Sequence, residues 1–217
     1  MNEATFIKRF IKDLEIETNR FSCLKIAIND ARKLTGRNIS GGDDELNILT
    51  NSNDFLNPDS FIGIINYLLI LDLIGEAFCL KGFTTQKNNN IYKALKQFSP
   101  TTSEKDIDTI IALRNSLAHN YGLINIPKNE KENSSKRHKF ILLHTENSFL
   151  IKYPTIPWNG DFKEKSEDKS THISTIKLIE LIEQTYKNLV AKSENNEIEL
   201  ALNDGIEELK SRFTIIN

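Results

Sequence analysis

The sequence predicts a mainly α-helical protein with one β-hairpin late in the chain. Three observations carry that expectation. Apolar residues recur at the spacing of three and four that buries one helix face, first at Phe6, Ile7, Phe10, Ile11 and Leu14, later at Ile176, Ile179, Leu181 and Ile182. The run FIGIINYLLILDLIGEAFCL, Phe61 to Leu80, is apolar almost throughout, as a helix enclosed on most sides must be. The stretch HKFILLHTENSFLIKY, residues 138–153, alternates in the manner of two strands about a turn at Glu146 and Asn147. With 217 residues, 39 % of them hydrophobic and 27 % charged, the chain has the composition and length of one globular domain with its own core.

The elements follow in order. A first helical stretch runs from Glu3 to about Leu34, bending near Thr18 and Asn19, and Gly36 ends it. Residues 35–60 are rich in Gly, Asn, Asp and Ser and read as a long loop with a short turn at Glu45 to Leu49. Asp43, Asp44 and Glu45 within it lack the ligand spacing of a cation loop and read as solvated. The buried helix spans about 59–81 and stops at Gly82. Its Asn66, Asp72 and Glu76 would be costly in lipid, so it is expected inside protein and not across a membrane.

A short helix at Ile91 to Phe98 comes next. Ser103 caps a further helix that reaches about His119, with Glu104, Asp106 and Asp108 at its positive end. Gly122 is the expected left-handed stop. A charged loop at 127–137 leads into the hairpin at 138–153, which Pro154 and Pro157 close. Two C-terminal helices, about 173–191 and 198–213, complete the chain.

The net charge is -2, which argues against a general nucleic-acid coat but leaves room for a local basic cleft. Cys23 and Cys79 sit in apolar helical surroundings and nothing at the start resembles a signal peptide, so the expectation is a cytoplasmic protein with two buried thiols. No cofactor is implied: the paired glycines 41 and 42 lack the spacing and the Lys of a phosphate-binding loop. His138 and His144 share a strand face, but without a third ligand at suitable spacing no metal is expected. Tyr153 and Trp158 are read as covers of a core edge and not as base-stacking platforms.

The end of the helix after Ser103 is different. It reads LRNSLAHNYG, residues 113–122, with Arg114, Asn115, His119 and Tyr121 in eight positions. On a wheel of about 100° per residue, the face holding Ile107, Ile110 and Ile111 continues through Arg114, Ala118 and Tyr121. An arginine on an apolar face needs an anion. That anion is Asp72 or Glu76 of the buried helix, a group at a subunit interface, or a phosphate from outside. Asn115 and His119 lie four apart along one face. A histidine beside an arginine suits proton transfer at a phosphate ester, and the same residues also make an ordinary polar helix end.

The spacing R-N-S-L-A-H-N-Y, Arg114 to Tyr121, resembles the signature of HEPN domains, and its R-x-x-x-x-H-x-Y form resembles that of HEPN toxins. The resemblance implies an antiparallel helical bundle and a metal-independent endoribonuclease that leaves 2′,3′-cyclic phosphate ends. It implies a homodimer whose two motif helices form one cleft. It implies a bacterial toxin–antitoxin, abortive-infection or antiviral defence setting with a separate antitoxin or regulatory partner. His119 would transfer protons, Arg114 would stabilise the phosphorane, Asn115 would position the phosphate, and Tyr121, the residue an antitoxin can modify, would line the cleft. Asp72 or Glu76 would orient Arg114, and Lys136, Arg137 and Lys139 are the candidate RNA contacts. Two other readings stand beside it, a HEPN module that dimerises and binds a protein or nucleotide without cleaving, and a purely structural helical domain. The loop at 35–60 and the hairpin at 138–153 are additions to the family's minimal bundle.

Overall fold

The computed structural model describes residues 2–37, 60–127, 136–144 and 147–216. The turn at Glu45 to Leu49, the acidic group Asp43 to Glu45, most of the charged loop and Glu146 lie outside the described residues.

In chain order the elements are α1 (Glu3–Lys12), β1 (Glu15–Glu17), β2 (Arg20–Ser22), α2 (Cys23–Leu34), α3 (Phe61–Ala77), β3 (Phe78–Leu80), α4 (Asn90–Phe98) and α5 (Glu104–Asn120). They continue as β4 (Ile124–Asn125), β5 (His138–Leu143), β6 (Ile151–Lys152), β7 (Thr171–Ser174), α6 (Thr175–Glu194), β8 (Ile198–Leu200), α7 (Gly205–Phe213) and β9 (Thr214–Ile216). The expected mainly α bundle with a single hairpin is therefore corrected. Seven helices share the described residues with nine strands in three sheets, an α/β mixture. The chain forms two compact units, Met1–Thr102 with Leu181–Asn217, and Ser103–Glu180.

In the first unit, the helix expected from Glu3 to Leu34 is two helices joined by a tight hairpin. Asn19 takes a left-handed conformation, φ 59°, where a bend was expected, and β1 turns back on β2. Ser22 serves both sides of the junction: its hydroxyl donates to the Phe10 carbonyl at 2.6 Å and accepts from the Lys25 amide at 3.2 Å as the N-cap of α2. At its far edge β2 pairs antiparallel with β9.

Helix α3 buries Ile64, Tyr67, Leu68, Ile70, Leu71 and Ile74 almost completely. Gly75 lets α4 approach, since a Cβ there would lie 1.8 Å from the Asn90 carbonyl oxygen. The helix ends at Ala77, earlier than its apolar run suggests, because Phe78 to Leu80 leave to pair antiparallel with Leu200 to Ile198. Among the described residues no helix is long and apolar enough to cross a membrane. Beneath α3, Glu183 of α6 accepts Arg32 Nε at 2.9 Å and Nη2 at 2.7 Å, and the Tyr67 hydroxyl at 2.7 Å. A fully buried carboxylate is thereby paired and saturated. Cys23 and Cys79 are half-buried, and burial pushes both thiols up, so neither has thiolate character.

In the second unit, Ser103 caps α5 as expected, accepting from the Asp106 amide at 3.1 Å. The sheet order is β4-β5-β7-β6. Strand β5 runs parallel to β7, and β6 pairs antiparallel with the other side of β7. The hairpin expected at 138–153 is thus split, with β7 inserted between its two arms. Thr171 and Ile173 match the buried alternation of His138 and Phe140, so β7 is the strand that completes the face. The helix expected from 173 starts only at Thr175, and the one expected over 198–213 is divided into β8 and α7, with β9 following from Thr214.

Candidate functional site

Helix α5 positions the site. Its buried stripe is Ile107, Ile110, Leu113 and Leu117, all with no exposed surface. The expected stripe through Arg114, Ala118 and Tyr121 is one position off, so Arg114 is half-buried at the stripe's border and not pointed into a core. Tyr121 is 71 % exposed. It is also the left-handed residue that ends the helix, φ 48°, its amide donating to the Leu117 carbonyl. Gly122 does not take the left-handed role that the sequence suggested.

The polar side chains converge. Arg114 Nη1 donates to Asn115 Oδ1 at 3.2 Å and meets His119 Nε2 at 3.3 Å. A guanidinium has donors and no acceptors, so Nε2 is the acceptor and the ring proton sits on Nδ1. Arg114 and His119 are five positions apart, about 140° around the helix, and Asn115 lies between them on that arc.

Asn115 and His119 line a cleft of about 1130 Å³ within the second unit. Lys105, Asp108, Thr109 and Ala112 extend the same face of α5 toward its N-terminus, and Lys136, Arg137 and His138 line the cleft from the start of β5. Arg114 and Tyr121 are not among the lining residues. Lys139 is not among the lining residues, and its Nζ donates to the Glu164 carbonyl at 3.2 Å. Of the three expected RNA contacts, then, the cleft takes Lys136 and Arg137.

Several of these groups are held in place. Arg137 Nη1 donates to the Asn159 carbonyl at 2.8 Å. The ammonium of Lys105 lies 3.5 Å from the ring centroid of Tyr153, whose hydroxyl donates to Asp106 Oδ1 at 2.7 Å. His138 is buried, with Nδ1 3.0 Å from Thr171 Oγ1 and its ring stacked on Phe140. Burial, and secondarily the Lys105 charge, pull its pKa down to about 4, so the ring is neutral at pH 7.

The residues assigned to orient Arg114 lie on α3 in the other unit. Glu76 is engaged there by different partners: Arg212 Nη2 reaches Oε1 at 2.7 Å and Asn90 Nδ2 reaches Oε2 at 2.5 Å. Arg212 holds the Glu76 carboxyl below its ordinary range. Asp72 is half-buried on α3. Among the described residues, no three His, Cys, Asp or Glu side chains form a group that could hold a metal ion.

Sequence reasoning did not find Lys105, and it assigned His138 and Tyr153 other roles. A signal existed. Lys105, Asp108, Thr109, Ala112, Asn115 and His119 follow helical spacing, a second face of α5 that is polar at each of these positions except Ala112 and ends at the motif.

Comparison of the chain with protein-family models, with curated proteins and with solved structures returns no match.

Proposed function

We propose that the protein is a metal-independent endoribonuclease. The observation that carries this reading is the hydrogen-bonded set Arg114–Asn115–His119, of which Asn115 and His119 line a cleft that holds, among the described residues, three cations and one carboxylate. The excess of positive charge among the cleft's described residues contrasts with the chain's net charge of -2 and suits a phosphodiester substrate. The likeness of Arg114, Asn115, His119 and Tyr121 to the HEPN signature supports the same chemistry.

The reaction follows from the donors and acceptors. An incoming phosphate takes the N–H groups of Arg114 and frees His119 Nε2. The imidazole then removes the proton of the ribose 2′-OH. The oxygen attacks the adjacent phosphorus, the O2′–P bond forms, and the guanidinium stabilises the charge on the phosphorane. The P–O5′ bond breaks and O5′ takes a proton, leaving a 2′,3′-cyclic phosphate and a 5′-hydroxyl. His138 is a poor donor for that proton, being buried and neutral. A second copy of the chain, contributing its own His119, supplies it in a homodimer. A bacterial defence or toxin–antitoxin setting with a separate restraining protein fits such an activity.

The test is incubation of purified protein with mixed RNA in excess chelator, beside Arg114→Ala and His119→Ala. Cyclic phosphate ends from wild type alone are the expected result, and equal cleavage by His119→Ala overturns the reading. One observation favours a second reading, a module that binds RNA or a nucleotide without cleaving it. Arg114 occupies the lone pair the base would need. RNA binding without cleavage by a dimeric protein, with dimerisation measured by light scattering, selects that alternative.

A further inference from the structure

The cleft is longer than the catalytic set needs. Lys105 and His119 are 14 positions apart on one helix and both line it, a separation of about 21 Å at 1.5 Å per residue. A single phosphodiester reaches only a small part of that length.

Among the described residues, three cations line the cleft besides His119. Lys105, Lys136 and Arg137 line it, and among the described residues none of them is ion-paired with a carboxylate. Two are braced by neutral groups, Arg137 by the Asn159 carbonyl and Lys105 by the Tyr153 ring. Bracing lowers the conformational entropy lost when a ligand binds. Their charges stay available, because a carbonyl and a ring face do not neutralise them. Gly160 stands beside Arg137, where an added Cβ would make only ordinary contact with Nη1 at 3.5 Å; its φ of 96°, and not a need for space, is what favours glycine there. Among the described residues, the only carboxylate lining the cleft is Asp108.

We infer that Lys105, Lys136 and Arg137 form a subsite for a non-scissile phosphate of the RNA, so that the substrate is an extended single strand lying along α5 with its cleaved linkage at His119 and another phosphate held several nucleotides away. The inference rests on the ribonuclease reading for the identity of the strand. Lys105, Lys136 and Arg137 are binding residues here and touch no reacting atom. Cations that contact phosphate this way make affinity salt-dependent, by about 0.7 in log–log slope for each phosphate contact on a single strand.

The experiment is a neutralisation scan. A 2′-fluoro hexanucleotide, which has no 2′-OH and cannot be cleaved, is prepared with one methylphosphonate moved linkage by linkage. Its affinity for the full-length protein is measured by fluorescence anisotropy. Neutralising one linkage, or two neighbours, is expected to weaken binding to wild type about tenfold, the scale of one charge-assisted hydrogen bond. The same substitution is expected to cost nothing in Lys105→Ala/Arg137→Ala. A second variant, Lys105→Gln/Arg137→Gln, keeps most of the packed stems and guards against loss of fold, which circular dichroism checks.

A flat scan on wild type, no binding of the strand, or a dip that persists in both variants overturns the subsite. Digestion of unmodified RNA reports on cleavage separately. A dip without cleavage keeps the subsite and removes the ribonuclease reading, whereas cleavage with a flat scan does the reverse.

Discussion

Tyr121 should be more stable as glycine. It ends α5 at φ 48° and ψ 35°, left-handed backbone that a bulky L-residue adopts at a cost of about 1–2 kcal/mol. Glycine removes that cost but loses about 0.5–1 kcal/mol more backbone entropy on folding. With 71 % of the residue exposed, little packing is sacrificed. The net gain for Tyr121→Gly is about 0.5–1 kcal/mol, which in a chain of this size raises Tm by about 2 °C. Gly122→Ala is the paired control. Its backbone is not left-handed, and an added Cβ would meet only the Asn120 carbonyl oxygen at 3.7 Å and its Cβ at 3.8 Å, ordinary contacts. Thermal unfolding followed by circular dichroism should rank Tyr121→Gly above wild type and leave Gly122→Ala close to it. The opposite order, with Gly122→Ala strongly destabilised and Tyr121→Gly below wild type, would refute the assignment of the helix stop. RNA cleavage by Tyr121→Gly gives an independent readout, because a variant more stable but less active marks the side chain as functional.

Three further outcomes follow from the structure. Glu183→Ala removes the buried carboxylate that Arg32 and Tyr67 share and should cost about 3–5 kcal/mol in urea unfolding, whereas Arg32→Met/Glu183→Leu/Tyr67→Phe should recover much of that loss; a single variant as stable as wild type contradicts the buried network. Gly75→Ala drives a Cβ to 1.8 Å from the Asn90 carbonyl oxygen, and a shift of α4 costing about 3 kcal/mol or more should appear as lost soluble yield or a lowered Tm. His138 has a folded pKa of about 4 against an ordinary 6.5, so the unfolded chain binds the extra proton between those values. Its contribution is fully present above pH 6.5 and is lost as pH falls toward 4, by at most about 3 kcal/mol at 1.36 kcal/mol per pKa unit. Urea midpoints measured across that window should flatten in His138→Gln, and an unchanged slope refutes the attribution.

Much of the helical content was legible from periodicity. Helices α4 and α5 lie where spacing put them, and Ser103 caps α5 as its type and position required. The short strands were not legible. A strand of three residues shows no measurable alternation, and β3 exists because β8, over a hundred positions later, supplies its hydrogen bonds. The same holds for β7, whose last two residues read as the start of a helix until β5 and β6 bracket the strand. The motif was legible as residue types at a spacing, but its cleft was not. Lys105 joins His119 on a face of α5 that apolar periodicity does not mark, and Lys136 and Arg137 reach it only because β5 pairs with β4 and β7.

By itself the sequence determined which local stretches could be helical, the cap that starts α5, and the presence of Arg114, Asn115 and His119 within one reach of each other. Those depend on neighbours a few residues away, and local sterics and hydrogen bonding settle them. Only the tertiary structure decided that the chain mixes helices with three sheets, that Glu76 pairs with Arg212 and Asn90, that Tyr121 and not Gly122 turns the helix end, and that a cationic cleft opens beside His119. Each of those rests on pairing between distant segments or on backbone geometry that residue type alone did not disclose.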